Sequence, residues 1–194
     1  MSNAIVKSLS FGLDARDQVF AGITKLTQAV SSTLGASGKC VILEDNAGQP
    51  IITKDGVTVA EAITLLDPVE NMGATLLKEA ARKTVREAGD GTTTATVLAH
   101  AILEEAYKSE ESVRDIKQGI TDATAQTVKY LEDIAIPVEG DMIDQVATIS
   151  TNNDPFLGKI IADAFRSVGK NGVVMLEPTD LAETTYELVD GLQY

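Results

Sequence analysis

The sequence predicts a mainly α protein with small β elements. Apolar residues recur at spacings of three and four over long stretches, Gly and Pro punctuate those stretches, and only short β-rich pieces interrupt them. The composition agrees. Hydrophobic residues make up 44% of the 194 residues, aromatics only 4%, and there is no Trp. The core must therefore rest on Ala, Val, Ile and Leu, which favours close helix packing over a large aromatic-lined cavity.

From Asp14 to Leu34, a helical face carries Val19, Ile23, Leu26, Ala29, Val30 and Leu34. Gly35 stops it, followed by Ala36-Ser37-Gly38. Cys40-Val41-Ile42-Leu43 and Pro50-Ile51-Ile52-Thr53, separated by turn formers, predict a β-hairpin. An isolated hairpin is marginal in water, so its edge is expected to pair with a later strand or with a neighbouring subunit. Val57 to Leu66 predicts a short helix closed by Asp67-Pro68. Asn71 to Ala88 predicts a helix with Met72, Leu76, Leu77, Ala80, Ala81 and Val85 on its buried side. Gly89-Asp90-Gly91 breaks it. The next helix starts in the Thr run and buries Val97, Leu98, Ala101, Ile102 and Ala106, and another spans Ser112 to Ile134.

The composition shifts at Pro137, which puts a domain boundary near Ile136. Beyond it come a helix at Met142 to Ile149, a loop at Ser150 to Asn153, and a helix with Pro155 at its first position. Asn153 or Asp154 caps that helix, and Gly169 or Gly172 ends it. Val173 to Leu176 and Thr184 to Val189 predict two strands. Repeats and low-complexity segments are absent.

The net charge of −13 argues against nucleic acid and anionic membranes, both of which need clustered Lys and Arg. One cysteine, Cys40, rules out an intrachain disulfide and suits a reducing compartment. With no signal-like start and no long apolar run, the expected location is cytoplasmic. Cys40 reads as a small core residue. His100, mid-helix with no partner at ligand spacing, reads as a surface or packed side chain rather than a metal ligand.

Three loops carry candidate chemistry: Thr33 to Gly38, Thr53 to Gly56, and Gly89 to Thr94. In the third, glycines permit positive φ and close ligand approach. The three Thr then open a helix whose first N–H groups suit phosphate. Asp90 beside them would repel phosphate unless a Mg²⁺ intervened, and magnesium commonly joins one carboxylate to phosphate oxygens. The pattern alone leaves a second reading equally open, a helix C-cap followed by an N-cap. No Gly-x-x-x-x-Gly-Lys-Ser/Thr is present, so this is not a P-loop. In isolation Asp55 reads as a turn residue, and Gly169-Lys170-Asn171-Gly172 as a turn.

Asp14-Ala15-Arg16, Thr33-Leu34-Gly35, Ile52 to Val57, Glu70 to Ala74, Ala88 to Ala99, Val146 to Ser150 and Val168 to Val173 occur in an order and spacing that resemble GroEL-type (group I) chaperonins over essentially the whole chain. The resemblance implies a helical equatorial, ATP-binding domain, first half, over residues 1–136. The first half of an α/β intermediate, hinge-like domain follows over 137–191, and the apical domain starts at 192–194. The rest of the apical domain, the client surface and the returning halves are expected after Tyr194.

The resemblance also implies roles. Thr33, Leu34, Gly35 and Ala36 line the nucleotide with Lys54 and Gly56. Asp90 binds Mg²⁺, while Gly91, Thr92, Thr93 and Thr94 hold phosphates. The backbones of Thr33 and Lys54 help hold K⁺, and Asp55 positions the attacking water. The implied activity is ATP hydrolysis driving protein folding in a homo-oligomeric ring or rings of seven subunits, with unfolded clients and a co-chaperonin as partners. The hairpin resembles the stem that pairs with a neighbouring subunit. Two departures stand out. Ala36-Ser37 replaces the family's usual Pro-Lys, which touches ATP affinity or rate, and the connection at Lys108 to Ser112 is shorter than usual. Taken alone, the chain is expected not to turn over ATP. An alternative role is a truncated, non-catalytic structural or interaction subunit.

Overall fold

The structure is a computed structural model that describes residues 8–35, 37–45, 47–169, 171–189 and 191. Ala36, Lys170 and the proposed apical start at 192–194 lie outside the described residues. The elements run α1 (Gly12–Ser31), β1 (Val41–Glu44), β2 (Pro50–Thr53), α2 (Gly56–Ala62), α3 (Pro68–Ala88), α4 (Thr92–Lys108), α5 (Val113–Ile134), α6 (Met142–Ser150) and α7 (Pro155–Val168). The mainly α class with a small sheet is as the sequence predicts. The chain divides into two compact units, Met1–Ile120 and Thr121–Tyr194, the division falling inside α5.

In the first unit, β1 and β2 pair antiparallel with Val41 opposite Thr53 and Glu44 opposite Pro50. Their turn is closed by Asp45, whose Oδ1 accepts from the N–H groups of Ala47 at 2.8 Å and Gln49 at 2.7 Å. Among the described residues no third strand joins this sheet. The core gathers Ile23, Leu26 and Val30 from α1, Val59 and Ala60 from α2, and Ala74 and Leu77 from α3. Val19, Ala29, Val41 and Leu43 pack against it. α1 and α3 cross almost backbone to backbone. A Cβ on Gly22 would sit 1.8 Å from the Glu70 carbonyl oxygen, and one on Gly73 would sit 2.0 Å from that of Val19.

That close approach corrects several sequence expectations. On α3 the buried stripe is Gly73, Ala74, Leu77, Lys78 and Ala81, while Met72 and Leu76 are exposed. Small residues let α1 come near, so the contact is set by size rather than by the largest apolar side chains. On α4, Thr92 and Thr96 are buried, whereas Leu98, Ala101 and Ile102 face outward. Leu34 is exposed as well. Cys40 is exposed rather than a core residue. It precedes β1, where exposure alternates with burial, and falls on the outer face with Ile42. α3 starts at Pro68 instead of Asn71, because Asp67 caps it by accepting from Val69 and Glu70 N–H. α2 stops at Ala62, short of Leu66, with Ile63 already extended at ψ 119°.

In the second unit α6 and α7 form a helical hairpin. Its turn uses Asn152 and Asn153 at φ 57° and 64°, left-handed values that Asn tolerates better than most residues. Asp154 caps α7 and Gly169 ends it. Gly158 meets Thr148 so closely that an added Cβ would lie 2.4 Å from its Oγ1. The strands expected at Val173 to Leu176 and Thr184 to Val189 do not form. A strand exists only through ladder bonds to a partner, and among the described residues none is present.

Arg166 on α7 ties to Asp144 on α6 and to Asp163. The Arg166 guanidinium beside Asp144 holds its carboxyl below the usual range. Glu61 on α2 is lowered in the same way by Arg82. A carboxyl whose pKa is lower folded than unfolded adds stability that is complete above the unfolded value, about 4, and is lost as pH falls through the folded one. The melting temperature is therefore expected to fall on acidification from about pH 5 to about pH 3. Arg166→Met should shrink that fall in the amide protection of α6 and α7. An unchanged acid profile would remove this pair from the account.

Candidate functional site

The site is built where the ends of three elements meet. α1 ends at Ser31, and the hydroxyl of Thr33 just beyond it donates to the Val30 carbonyl at 2.8 Å. Gly35 follows at φ 73°, and Gly38 packs so tightly that its Cβ would lie 2.3 Å from the Thr33 carbonyl oxygen. The second loop ends in Asp55, which caps α2. Its carboxylate accepts from Val57 N–H at 3.3 Å, Thr58 N–H at 2.8 Å and the Thr58 hydroxyl at 2.5 Å. The third is the α3–α4 junction. Gly89 at φ 77° terminates α3, and Gly91 at φ 88° begins α4. A left-handed backbone at both positions is what glycine permits at least cost.

Thr93 joins the three. Its Oγ1 lies 3.4 Å from that of Thr33, and a Cβ on Gly56 would come within 2.1 Å of it. Gly56 is buried there, so the start of α2, the end of α1 and the start of α4 touch without room for a larger residue. The solvent side stays open. Leu34, Gly35, Lys54, Asp55, Asp90 and Thr94 are all exposed, Thr93 is half-buried and Thr92 is buried. Gly91 brings no side chain to cap α4, so the first amides of that helix carry no side-chain cap. Asp90 Oδ1 accepts from Gly91 N–H at 2.6 Å, which holds the carboxylate at the mouth of this helix start.

Charge and chemistry follow from these contacts. Partial burial raises the Asp55 pKa, but the hydroxyl and amide of Thr58 and the amide of Val57 outweigh it and hold the carboxyl below its ordinary value. A carboxylate offers about four acceptor positions, and three are taken by Val57 and Thr58. Such a group is a weak base but can still orient a water molecule through what remains. The uncapped α4 start suits an anion, and exposed Asp90 suits an oxygen-loving divalent cation beside it. The residues present thus fit both a phosphate group and Mg²⁺.

His100 is packed, as expected: it stacks on Phe20 at 5.5 Å and its Nε2 lies 3.1 Å from the Thr24 hydroxyl. Among the described residues no group of three or more His, Cys, Asp or Glu is placed to hold a metal ion, so a cation at Asp90 would take its other ligands from phosphate oxygens and water. Nor is any helix there long and apolar enough to cross a membrane. Concavities on α3, around Glu79 and Lys83, and between α4 and the start of α5 include no residue of the junction. One residue escaped the sequence reading. Lys78, in the buried stripe of α3, donates to the backbone at the far end of α2.

The first unit is thus a helical domain whose α4 begins at a glycine with no side-chain cap and with the exposed Asp90 just before it. The profile of the TCP-1/cpn60 chaperonin family matches residues 26–192, and the chain belongs to that family. Among solved structures it is similar to the chaperonin gp146 from the bacteriophage EL 2 (Pseudomonas aeruginosa), crystallised in the presence of ATP-BeFx. That match has 32% identity and a TM-score of 0.72, over 80% of this chain and 28% of the phage chain. It is also similar to a group III chaperonin in the open state, with 28% identity and a TM-score of 0.65, over 79% of this chain and 31% of that one. The chain thus spans less than a third of the solved chaperonins it matches. These comparisons reach the family, and the group I reading rests on the motifs.

Proposed function

We propose that this chain supplies the Mg-ATP half-site of an ATP-driven protein-folding chaperonin. One observation carries the reading: Thr33, Gly56 and Thr93 converge at the uncapped start of α4, and Asp55 and Asp90 are the chain neighbours of Gly56 and of the α4 N-cap Gly91. Thr33, Leu34 and Gly35 line one side with Lys54 and Gly56, and Gly91 to Thr94 line the phosphate side, with the amides from Thr92 to Thr94 as donors because Gly91 N–H is given to Asp90. Ala36 belongs to the same lining by the motif. Asp90 would hold Mg²⁺, and the carbonyls of Thr33 and Lys54 would help hold K⁺. The bound cations supply neutralisation of phosphate charge. Asp55, ionised at neutral pH and partly committed to capping α2, orients the attacking water rather than taking its proton early.

On this reading residues 1–136 form the first half of an equatorial domain, 137–191 the first half of an intermediate domain, and 192–194 the start of an apical domain. The working form is a cytoplasmic homo-oligomeric ring of group I type that takes unfolded proteins as clients, with a co-chaperonin. A second reading, an interaction subunit that joins rings without hydrolysis, draws on α5, which has no buried residue along its length. Native mass spectrometry with full-length subunits separates the two: incorporation without ATP turnover supports the second.

The primary test is a calorimetric titration of the chain with ATP with and without Mg²⁺, and of Asp90→Ala. Magnesium-dependent binding by the unaltered chain and a loss of roughly tenfold or more in Asp90→Ala are expected, about 1.4 kcal/mol per tenfold. Equal binding by both proteins would remove the metal role of Asp90.

A further inference from the structure

We propose that Lys78 is a positioning residue for the nucleotide site, its buried ammonium holding the far end of the helix that Asp55 caps. This rests on the Mg-ATP reading of the junction.

α2 has seven residues, too few to hold a helical shape or direction by itself. Its first end is fixed at the site by the Asp55 cap and by Gly56 against Thr93. Its last carbonyls have no intrahelical partners. Lys78 supplies them: Nζ donates to the Glu61 carbonyl at 3.2 Å and to that of Ile63. A cation at a helix C-terminus also matches the negative end of the dipole. Lysine is seldom so buried, yet Lys78 is only 8% exposed. Burial pushes its pKa down, and the nearby Glu61 carboxylate partly restores it. A second tether lies alongside, where Arg82 grips the Glu61 carboxylate with Nε and Nη2, each at 2.5 Å.

Both tethers come from α3. The same helix runs into Gly89-Asp90-Gly91, so α3 carries one site carboxylate at its own end and reaches the other through α2. A shift of α2 relative to α3 would change the spacing of Asp55 and Asp90. Lys78 is the buried link that prevents it.

The test compares Lys78→Met, which keeps length but loses donor and charge, with Lys78→Arg, which keeps both. Amide exchange at Val57 to Ala62 and Mg-ATP affinity are read in the full chain. In Lys78→Met, α2 amides should exchange roughly tenfold faster while α1 core amides change little, and affinity should fall about tenfold. Lys78→Arg should restore much of both. Unchanged α2 exchange and affinity in Lys78→Met would overturn the proposal. So would equal acceleration across the whole first unit, which marks a general stability role. If Lys78→Met does not fold, Lys78→Gln, with a shorter uncharged donor, is read by the same criteria. Failure of the unaltered chain to bind Mg-ATP would sink the nucleotide reading and the site role of Lys78 with it, and the exchange data would still decide whether Lys78 anchors α2.

Discussion

Gly73→Ala is expected to cost at least about 2 kcal/mol and to lower the melting temperature of the first unit by roughly 10 °C. Alanine in a helix interior is intrinsically better than glycine by about 1 kcal/mol. Here the new Cβ would lie 2.0 Å from the Val19 carbonyl oxygen, 2.9 Å from its carbon and 3.1 Å from its Cα. Those are backbone atoms and cannot rotate aside, so α1 and α3 would have to separate and thin the contacts around Leu26 and Leu77. Gly22→Ala, facing the Glu70 carbonyl at 1.8 Å, should behave alike. Gly119→Ala on α5 is the control, because nothing lies within 4 Å of an added Cβ there and the helical preference is free to act. Thermal unfolding by circular dichroism reads all three. If Gly73→Ala melts no lower than Gly119→Ala, the close crossing of α1 and α3 is wrong.

The second large effect concerns Asp55, where two roles can be separated. Asp55→Ala removes the cap of α2, at a cost of about 1 kcal/mol, together with the charge proposed to orient water. Asp55→Asn keeps one oxygen, which can accept from Thr58 in place of Oδ2 and so retains the main cap of α2, while its NH2 replaces Oδ1 and the longer bond from Val57 N–H is lost with the charge. Stability should thus drop in the alanine variant and hold in the asparagine one. ATP turnover, measured in assembled rings carrying either variant, should fall about a hundredfold or more in both. An asparagine variant that keeps turnover within twofold would reduce Asp55 to a cap.

The sequence made most helices legible because their ends carry local chemistry. Asp154-Pro155 and the glycines at 89, 91 and 169 act within one turn and need no tertiary help, whereas Asp67-Pro68 reads as closing α2 although it caps and opens α3. Faces were harder. On α3 the large residues Met72 and Leu76 looked like the core, whereas the tight crossing selected Gly73 and Ala74. Lys78 had a visible signal, since it sits in the stripe of Ala74, Leu77 and Ala81, but a lysine there reads as solvated until a carbonyl pair appears opposite it. The segments at Val173 and Thr184 have strand composition and no partner, and pairing is not written in either segment alone.

The candidate site divides in the same way. Gly89 to Thr94 announced one helix ending and another beginning, and the pattern alone left an anion cradle and a plain pair of caps equally open. The meeting of Thr33, Gly56 and Thr93 depends on how three helix ends are stacked, which no local pattern encodes.

Cys40 gives this chain an experimental handle. It is the only thiol in the sequence, it is exposed, and it sits at the foot of the β1–β2 ribbon. A maleimide fluorophore would therefore label one defined position without mutagenesis, and its emission would report whatever settles against the ribbon. Air oxidation has only one covalent outcome between such thiols, a cross-link between two copies, so a reductant belongs in every buffer used to count subunits.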